Sequence, residues 1–232
     1  MIIKKFRGTF IDEVLGSLPN NEEIYRAFIG SKAPDAASVE DEVASLGADE
    51  VAEQGMTVFF ADDEGNPYIK HYHVKGFFKG ACGFMRRVPG SKSEKMRAYK
   101  KQIDGNVNVI PERIFIQGVD EITENQRPLR AQTAQGDRVA LACSEQITRG
   151  TTFEFIVVLN NDGDNDCLTE WLNFGIWNGI GQWRNSGKGR FVWQELDEYN
   201  NVIPGVGNYE LINLFQTGDL RAVKQMLGAL AS

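Results

Sequence analysis

The sequence predicts an α+β fold, and three observations predict it. The chain opens on a β-branched and aromatic run, Ile2–Ile11, followed at once by helix signals. Between Thr152 and Gln194 it passes through a strand, a helix, a glycine-rich loop and another strand. Between these two ends, hairpin and helix signals are interspersed, with no repeat of fixed period and no low-complexity tract.

The elements follow in order. Ile2–Ile11 reads as a first strand around Lys4, Lys5 and Arg7, and Leu15–Asn20 as a turn. Asn20 or Asn21 then caps a helix with Glu22 and Glu23 in its first turn, where the helix dipole favours them; Gly30 and Pro34 end it. Asp35–Gln54 reads as one helix or a broken pair with a solvated acidic face. Met56–Ala61 and Pro67–His73 are strands joined by the turn Asp62-Asp63-Glu64-Gly65-Asn66. Val74–Arg87 is a helix with its apolar face at Val74, Phe77, Phe78, Ala81 and Phe84, broken by Pro89-Gly90-Ser91. A basic helical turn over Glu94–Ile103 and short strands at Val107–Ile110 and Ile114–Gln117 come next. Arg127–Gln132 and Val139–Ala142 form another short pair, and Thr152–Leu159 is a strand. Asp166 caps a helix with Leu168, Trp171, Leu172 and Ile176 on its apolar side. After the glycine loop, Arg190–Gln194 is the last strand expected, Asn200–Gly207 a linker, and Tyr209–Leu227 an amphipathic tail in which Asp219 caps a last helix. This order suits a ferredoxin-like (RRM-like) split βαβ core with inserted hairpins and helices. One elaborated domain over residues 1–195, with a linker and C-terminal helical segment over 196–232, is the expected organisation.

Composition bounds the function. Of the 232 residues, 42% are hydrophobic and 25% charged, ordinary globular usage that supports a substantial core. No apolar run approaches the roughly 18 residues of a membrane span, and the first residues lack a signal-peptide pattern, so a cytoplasmic protein with no membrane partner is expected. Cys82, Cys143 and Cys167 are odd in number and in no CxxC spacing, which argues against a disulfide framework or a zinc site. Asp162-Gly163-Asp164-Asn165-Asp166 begins like a calcium loop, but Cys167 and Asn173 stand where that loop needs glycine and glutamate. No cofactor and no metal are expected. The net charge of −7 hides a polarised chain: ten acidic residues and no Lys or Arg from Asp35 to Glu64, then ten basic residues against Glu94 alone from Lys70 to Lys101.

The glycine-rich segment is Gly179-Ile180-Gly181-Gln182-Trp183-Arg184-Asn185-Ser186-Gly187-Lys188-Gly189-Arg190-Phe191. Its glycines allow positive φ and leave backbone N–H groups uncovered; Arg184, Lys188 and Arg190 add charge, and Trp183 a stacking surface. It is not a phosphate-binding GxxxxGK[ST] loop, and a strand rather than a helix follows, which excludes a dinucleotide fingerprint. The alternative is a purely structural connection with Trp183 buried and the arginines paired.

Gly179-Ile180-Gly181, Arg184 and Gly187-Lys188-Gly189-Arg190-Phe191, placed between a helix and a strand, resemble the glycine-rich loop of the RAMP superfamily of CRISPR-associated proteins. That resemblance implies a ferredoxin-like fold and the binding or processing of guide RNA. Leu15-Gly16-Ser17-Leu18-Pro19, Ala27–Pro34, Ile103-Asp104-Gly105, Arg127–Thr133 and Gly181-Gln182-Trp183-Arg184 resemble an uncharacterised family of phage and prophage proteins across most of residues 1–195. The loop departs from the more uniform Arg/Gly character of RAMP loops, and RNA-binding members are usually more basic than this chain, with its isoelectric point near 5.0.

Three readings follow. In the first, the protein is a non-catalytic, phage-encoded, RAMP-like binder of RNA or single-stranded nucleic acid. Lys75, Lys79, Arg86, Arg87, Lys100, Lys101 and Arg130 would track the backbone, and Gly181, Trp183, Arg184, Gly187, Lys188, Gly189 and Arg190 would cradle it. Lys92, Lys95 and Arg97 belong to the same basic set, and Arg127 and Arg138, with Arg130, could extend that surface. In the second, it is a protein–protein module that self-assembles or inhibits a host defence complex such as CRISPR, through the acidic stretch 35–64 and the tail 209–227. In the third, it is a metal-independent ribonuclease using His71 or His73, which share one face of the expected strand.

Overall fold

The computed structural model describes residues 1–19, 56–133 and 136–230, without the side chains of 128–141, 164 and 228–230. The expected helix after Asn20 and the alanine- and acid-rich stretch to Gln54 lie outside the described residues.

The described strands are β1 (Ile2–Phe10), β2 (Val14–Leu15), β3 (Leu18–Pro19), β4 (Thr57–Val58), β5 (Phe60–Ala61), β6 (Pro67–Lys70), β7 (Val107–Ile110), β8 (Arg113–Gln117), β9 (Ile122–Thr133), β10 (Gly136–Ile147), β11 (Thr152–Leu159), β12 (Phe191–Leu196) and β13 (Val202–Gly207). The helices are α1 (His71–Met85), α2 (Tyr99–Asn106), α3 (Asn165–Asn173) and α4 (Leu220–Leu230). In the main sheet β1 pairs antiparallel with β11 on one side and β12 on the other. β11 pairs antiparallel with β7 and β8, β8 continues to β6 and β5, and β13 closes the opposite edge against β12.

The strand order β12-β1-β11-β7, with α1 between β1 and β7 and α3 between β11 and β12, is a ferredoxin-like split βαβ core. The β5–β6 hairpin and α2 are inserted within the first half, before and after α1, and β8 and the long β9–β10 hairpin between the two halves. That hairpin pairs twelve residues with twelve, Ile122↔Ile147 to Thr133↔Gly136, considerably longer than the two short strands the sequence suggests. β10 also takes β2 antiparallel and one residue of β4 in parallel, so a second sheet stands beside the first.

The core lies where both helices cover one face of the main sheet. β11 alternates strictly, burying Phe153, Phe155, Val157 and Leu159, as period-two sequence on a one-sided sheet requires. α1 brings Val74, Phe77, Phe78, Ala81 and Cys82 to that face, and α3 brings Leu168, Trp171 and Leu172. Phe78 meets Trp171 at 5.9 Å and Phe155 at 6.4 Å, and Phe77 meets Phe191 at 5.1 Å, tilted or edge-on geometries that aromatic quadrupoles favour. The buried Trp171 indole N–H donates to Ser93 Oγ at 2.9 Å, and Ser93 donates to Glu170 at 2.6 Å, so burial of the polar atom is compensated. On the opposite face Lys5 and Arg7 both bridge to Glu154, at 2.7 Å each. Burial pushes the Glu154 carboxyl up, but hydrogen bonds from Lys5 and Arg7 outweigh it and hold the group below its usual range.

Three boundaries differ from expectation. Residues 202–207, expected within a linker, form β13, because Gly207 and Val202 pair with Gln194 and Leu196. α1 begins at His71 rather than Val74, and the helix near residue 100 begins at Tyr99, after turns through Ser93–Met96. The tail packs inward: Leu211 and Leu214 are buried with Ile11, Ile176 and Val192, and Val223, Met226 and Leu227 lean on that cluster.

Phe78 is fully buried at the junction of both helices and the sheet. Phe78→Ala is expected to destabilise the chain by about 3–5 kcal/mol, read as a lowered urea midpoint with an unchanged slope.

Candidate functional site

The glycine-rich loop runs from the turn after α3 into β12, and two backbone strands cross within it. A Cβ on Gly179 would sit inside the Gly189–Arg190 peptide, and one on Gly189, at φ +70°, would sit on the Ile180 carbonyl. Only glycine permits this approach, and it lets the Ile180 N–H donate to the Gly189 carbonyl at 3.0 Å.

The crossed loop is fastened to the corner where β1 ends. Gly189 N–H donates to the Glu13 carbonyl at 2.8 Å, and Ile11 N–H to the Arg190 carbonyl at 2.9 Å. Lys188 bridges to Glu13 at 2.8 Å and Arg190 to Asp12 at 2.6 Å, with the Arg190 guanidinium 3.6 Å above the Phe215 ring. The hydrogen bond from Lys188 lowers the Glu13 carboxyl pKa. Lys188 and Arg190 therefore have their charges met within the chain. They hold the loop in place.

The loop tip is different. Trp183 sits in the left-handed region at φ 57°, followed by a single turn over Arg184–Ser186. Its ring stacks on the guanidinium of Arg127 at 3.5 Å. Arg127 projects from β9 and is 7% exposed; its Nε and Nη1 have no hydrogen-bond partner, and Nη2 approaches Gln182 Oε1 at 3.5 Å. Arg184, next along the loop, is exposed.

His71 and His73 stand at the first and third positions of α1, not on a strand, so about 200° of helix rotation separates them and they do not share a face. Lys70 keeps an extended backbone and the helix starts immediately after it, with His73 Nδ1 accepting the Lys70 N–H at 3.3 Å. His73 Nε2 lies 3.5 Å from Ser17 Oγ, and its ring packs on Tyr72. Burial, then the charges of Arg184 and His71, lower the His73 pKa below 6.5. His71 Nδ1 is buried without a hydrogen-bond partner. The first turn of α1 contains no acidic residue of its own, but Glu112 stands at the helix start: its carbonyl accepts the His71 N–H at 3.0 Å and its carboxylate bridges to Lys70 at 2.8 Å, while Arg184 exerts its charge on His73.

The other predicted basic residues lie elsewhere. Lys79 bridges to Asp104 at 2.6 Å and Lys75 donates to the Asp104 carbonyl at 2.9 Å, so both face α2. Arg86 lies 5.1 Å from the Tyr99 ring centre, while Arg87, Lys100 and Lys101 are exposed. Arg130 lies in β9, with its side chain outside the described residues. Lys75, Lys79 and Arg86 therefore surround α2, and the loop tip instead meets β9 and the start of α1. Among the described residues no group of three or more His, Cys, Asp or Glu could hold a metal, and no helix is long and apolar enough to cross a membrane.

Sequence reasoning missed the Arg127–Trp183 stack and the anchoring role of Asp12 and Glu13. The adjacent acids at the end of the first strand, against Lys188 and Arg190 in a glycine-rich loop, were the available signal for the anchor. Nothing in the sequence pairs residues 127 and 183.

No protein-family model and no curated protein matches the sequence. Among solved structures, a similar chain occurs in the cryo-EM structure of the type III-B Cmr-β complex bound to cognate target RNA. The two are 14% identical with a TM-score of 0.45, over 82% of this chain and 57% of that one. The chain thus spans a little over half of that neighbour's length. At this similarity the likeness does not bear on function, and the ferredoxin-like assignment rests on the strand pairing itself.

Two outcomes are expected. Gly189→Ala strains a left-handed residue and collides with the Ile180 carbonyl, and lowers stability by about 1–3 kcal/mol in urea unfolding. Because His73 titrates below 6.5 when folded, the unfolded chain takes up its proton first as pH falls. Its stabilising contribution is complete above 6.5 and declines below it. The urea midpoint therefore falls between about pH 7 and pH 5, above the range in which the lowered carboxylates titrate, and His73→Gln flattens that fall.

Proposed function

We propose that the protein is a non-catalytic, RAMP-like binder of RNA or single-stranded nucleic acid, of phage origin, as the resemblance across residues 1–195 implies. The observation that carries this reading is the loop tip. Trp183, stacked on Arg127 and followed by the exposed Arg184, puts an aromatic platform and cationic groups together beside the start of α1. Aromatic stacking with neighbouring positive charge is what single strands require, since every base has a π-face and every nucleotide a phosphate.

The reading places binding at the tip rather than along the whole glycine segment. Gly187, Lys188, Gly189 and Arg190 support the tip from below, and Gly181 frees the backbone entering it. The exposed Arg87, and Lys100 and Lys101 on α2, would add sequence-independent attraction. Histidine chemistry has less to build on, because His71 and His73 diverge around the helix and His73 Nδ1 is engaged with the Lys70 backbone.

The test is fluorescence anisotropy with a labelled single-stranded RNA across a salt series. Affinity is expected to fall steeply with salt, and Arg184→Ala to weaken binding and reduce the log–log slope by about 0.7, one phosphate contact. Absence of any shift with RNA or single-stranded DNA at low salt would overturn the reading.

A further inference from the structure

Arg127 poses a problem that the described structure leaves unsolved. Its guanidinium is always charged in proteins and carries five N–H donors in a planar fork. Here the side chain is 7% exposed, yet Nε and Nη1 are buried with no hydrogen-bond partner, and among the described residues Nη2 has only the 3.5 Å approach to Gln182. Among the described residues no carboxylate lies within ion-pair distance of it. Burial pulls the group below its usual range, opposed by the Cys143 thiol rather than by a carboxylate. Buried arginines are ordinarily paired, because a desolvated charge without a counter-charge is expensive.

The packing shows how the charge is covered. Trp183 lies on one face of the guanidinium and Gln182, next to it in the chain, reaches the in-plane N–H edge, so one loop segment lies over both. Trp183 itself occupies a backbone region that few non-glycine residues adopt. The segment carrying it, residues 182–186, lies between Gly181 at φ 93° and Gly187 at φ 85°, two positions able to absorb a rotation. Below Gly187 the loop is pinned by Lys188 and Arg190, and the Lys188 N–H reaches the Trp183 carbonyl at 3.3 Å, the long contact that a swing of the tip would break.

We propose that Arg127 is a binding site for a single phosphate group, with Trp183 as its movable cover. A phosphate presents two oxygens at the spacing of the in-plane guanidinium edge and supplies the missing counter-charge. Arg184, adjacent to the cover, provides a second cation for the remaining oxygens. Once the tip lifts, Trp183 is available to stack on the ligand's base. The proposal rests on the nucleic-acid reading for the source of the phosphate, but the site is defined by Arg127 alone.

Thermal unfolding of the full chain tests it, with inorganic phosphate compared against chloride and acetate at matched ionic strength. Phosphate is expected to raise the melting temperature by several degrees over both. Arg127→Met loses this response, yet melts no lower than the parent, because an apolar side chain of similar length removes an unpaired buried charge. Arg127→Lys, which keeps the charge but not the fork, weakens phosphate binding by about tenfold. A phosphate response no greater than that of chloride or acetate overturns the proposal, as does a response retained in Arg127→Met or Arg127→Lys. RNA with and without a 5′-phosphate separates the sources. Arg127→Lys weakens both equally if the site holds a backbone phosphodiester, and the phosphorylated strand alone if it holds a terminal phosphate. A phosphate response without any RNA binding sinks the nucleic-acid reading and leaves this site standing. Binding of both strands, with and without the 5′-phosphate, undiminished in Arg127→Met sinks the site and leaves that reading.

Discussion

The corner at residues 11–15 is the constraint on which the rest of the site depends. There β1 leaves the main sheet and the chain enters the second sheet through β2, so one short segment joins both. The glycine loop is fastened to that corner by two backbone hydrogen bonds and two ion pairs, from Lys188 to Glu13 and from Arg190 to Asp12. Isolated surface ion pairs contribute little, about 0–1 kcal/mol each. These are half-buried and flank backbone bonds, so their effect is to hold one geometry rather than to add stability. With the base of the loop held, its tip is placed between the middle of the β9–β10 hairpin and the start of α1.

This arrangement divides the basic residues of the loop into two kinds. Lys188 and Arg190 at its base are met within the chain, and Arg184 at its tip is exposed. The division follows from geometry, because residues that flank a backbone crossing lie against their anchor and residues on the turn between them do not. Lys188 and Arg190 are paired, as a structural connection would have them, while Arg184 is exposed and Trp183 is only partly covered. Arg127 and Trp183 then link the loop to the inserted hairpin, so a ligand at the tip would be felt in both sheets.

Much of the core was legible from the chain alone. The alternation through Thr152–Leu159 and the apolar face Val74, Phe77, Phe78 and Ala81 announce their elements because each repeats with the period of its backbone. The start of α1 was not legible. Pro67–His73 reads as a strand on side-chain preference, but the His73 ring reaches back to the Lys70 N–H and starts the helix at His71. β13 was hidden for the opposite reason. Val202–Gly207 contains Pro204 and two glycines, which signal a loop, and only pairing with β12 makes it a strand.

By itself, the sequence determined the α+β class, the ferredoxin-like succession of elements and the glycine-rich loop as the place to look, since these depend on local periodicity and backbone freedom. The tertiary structure decided which charges in that loop are free. Whether Lys188 meets Glu13, Arg190 meets Asp12 and Trp183 meets Arg127 depends on contacts between residues dozens to well over a hundred positions apart. Local propensity carries no record of such contacts. A charged side chain next to glycine looks the same in sequence whether its partner is a carboxylate of its own chain or the phosphate of another molecule.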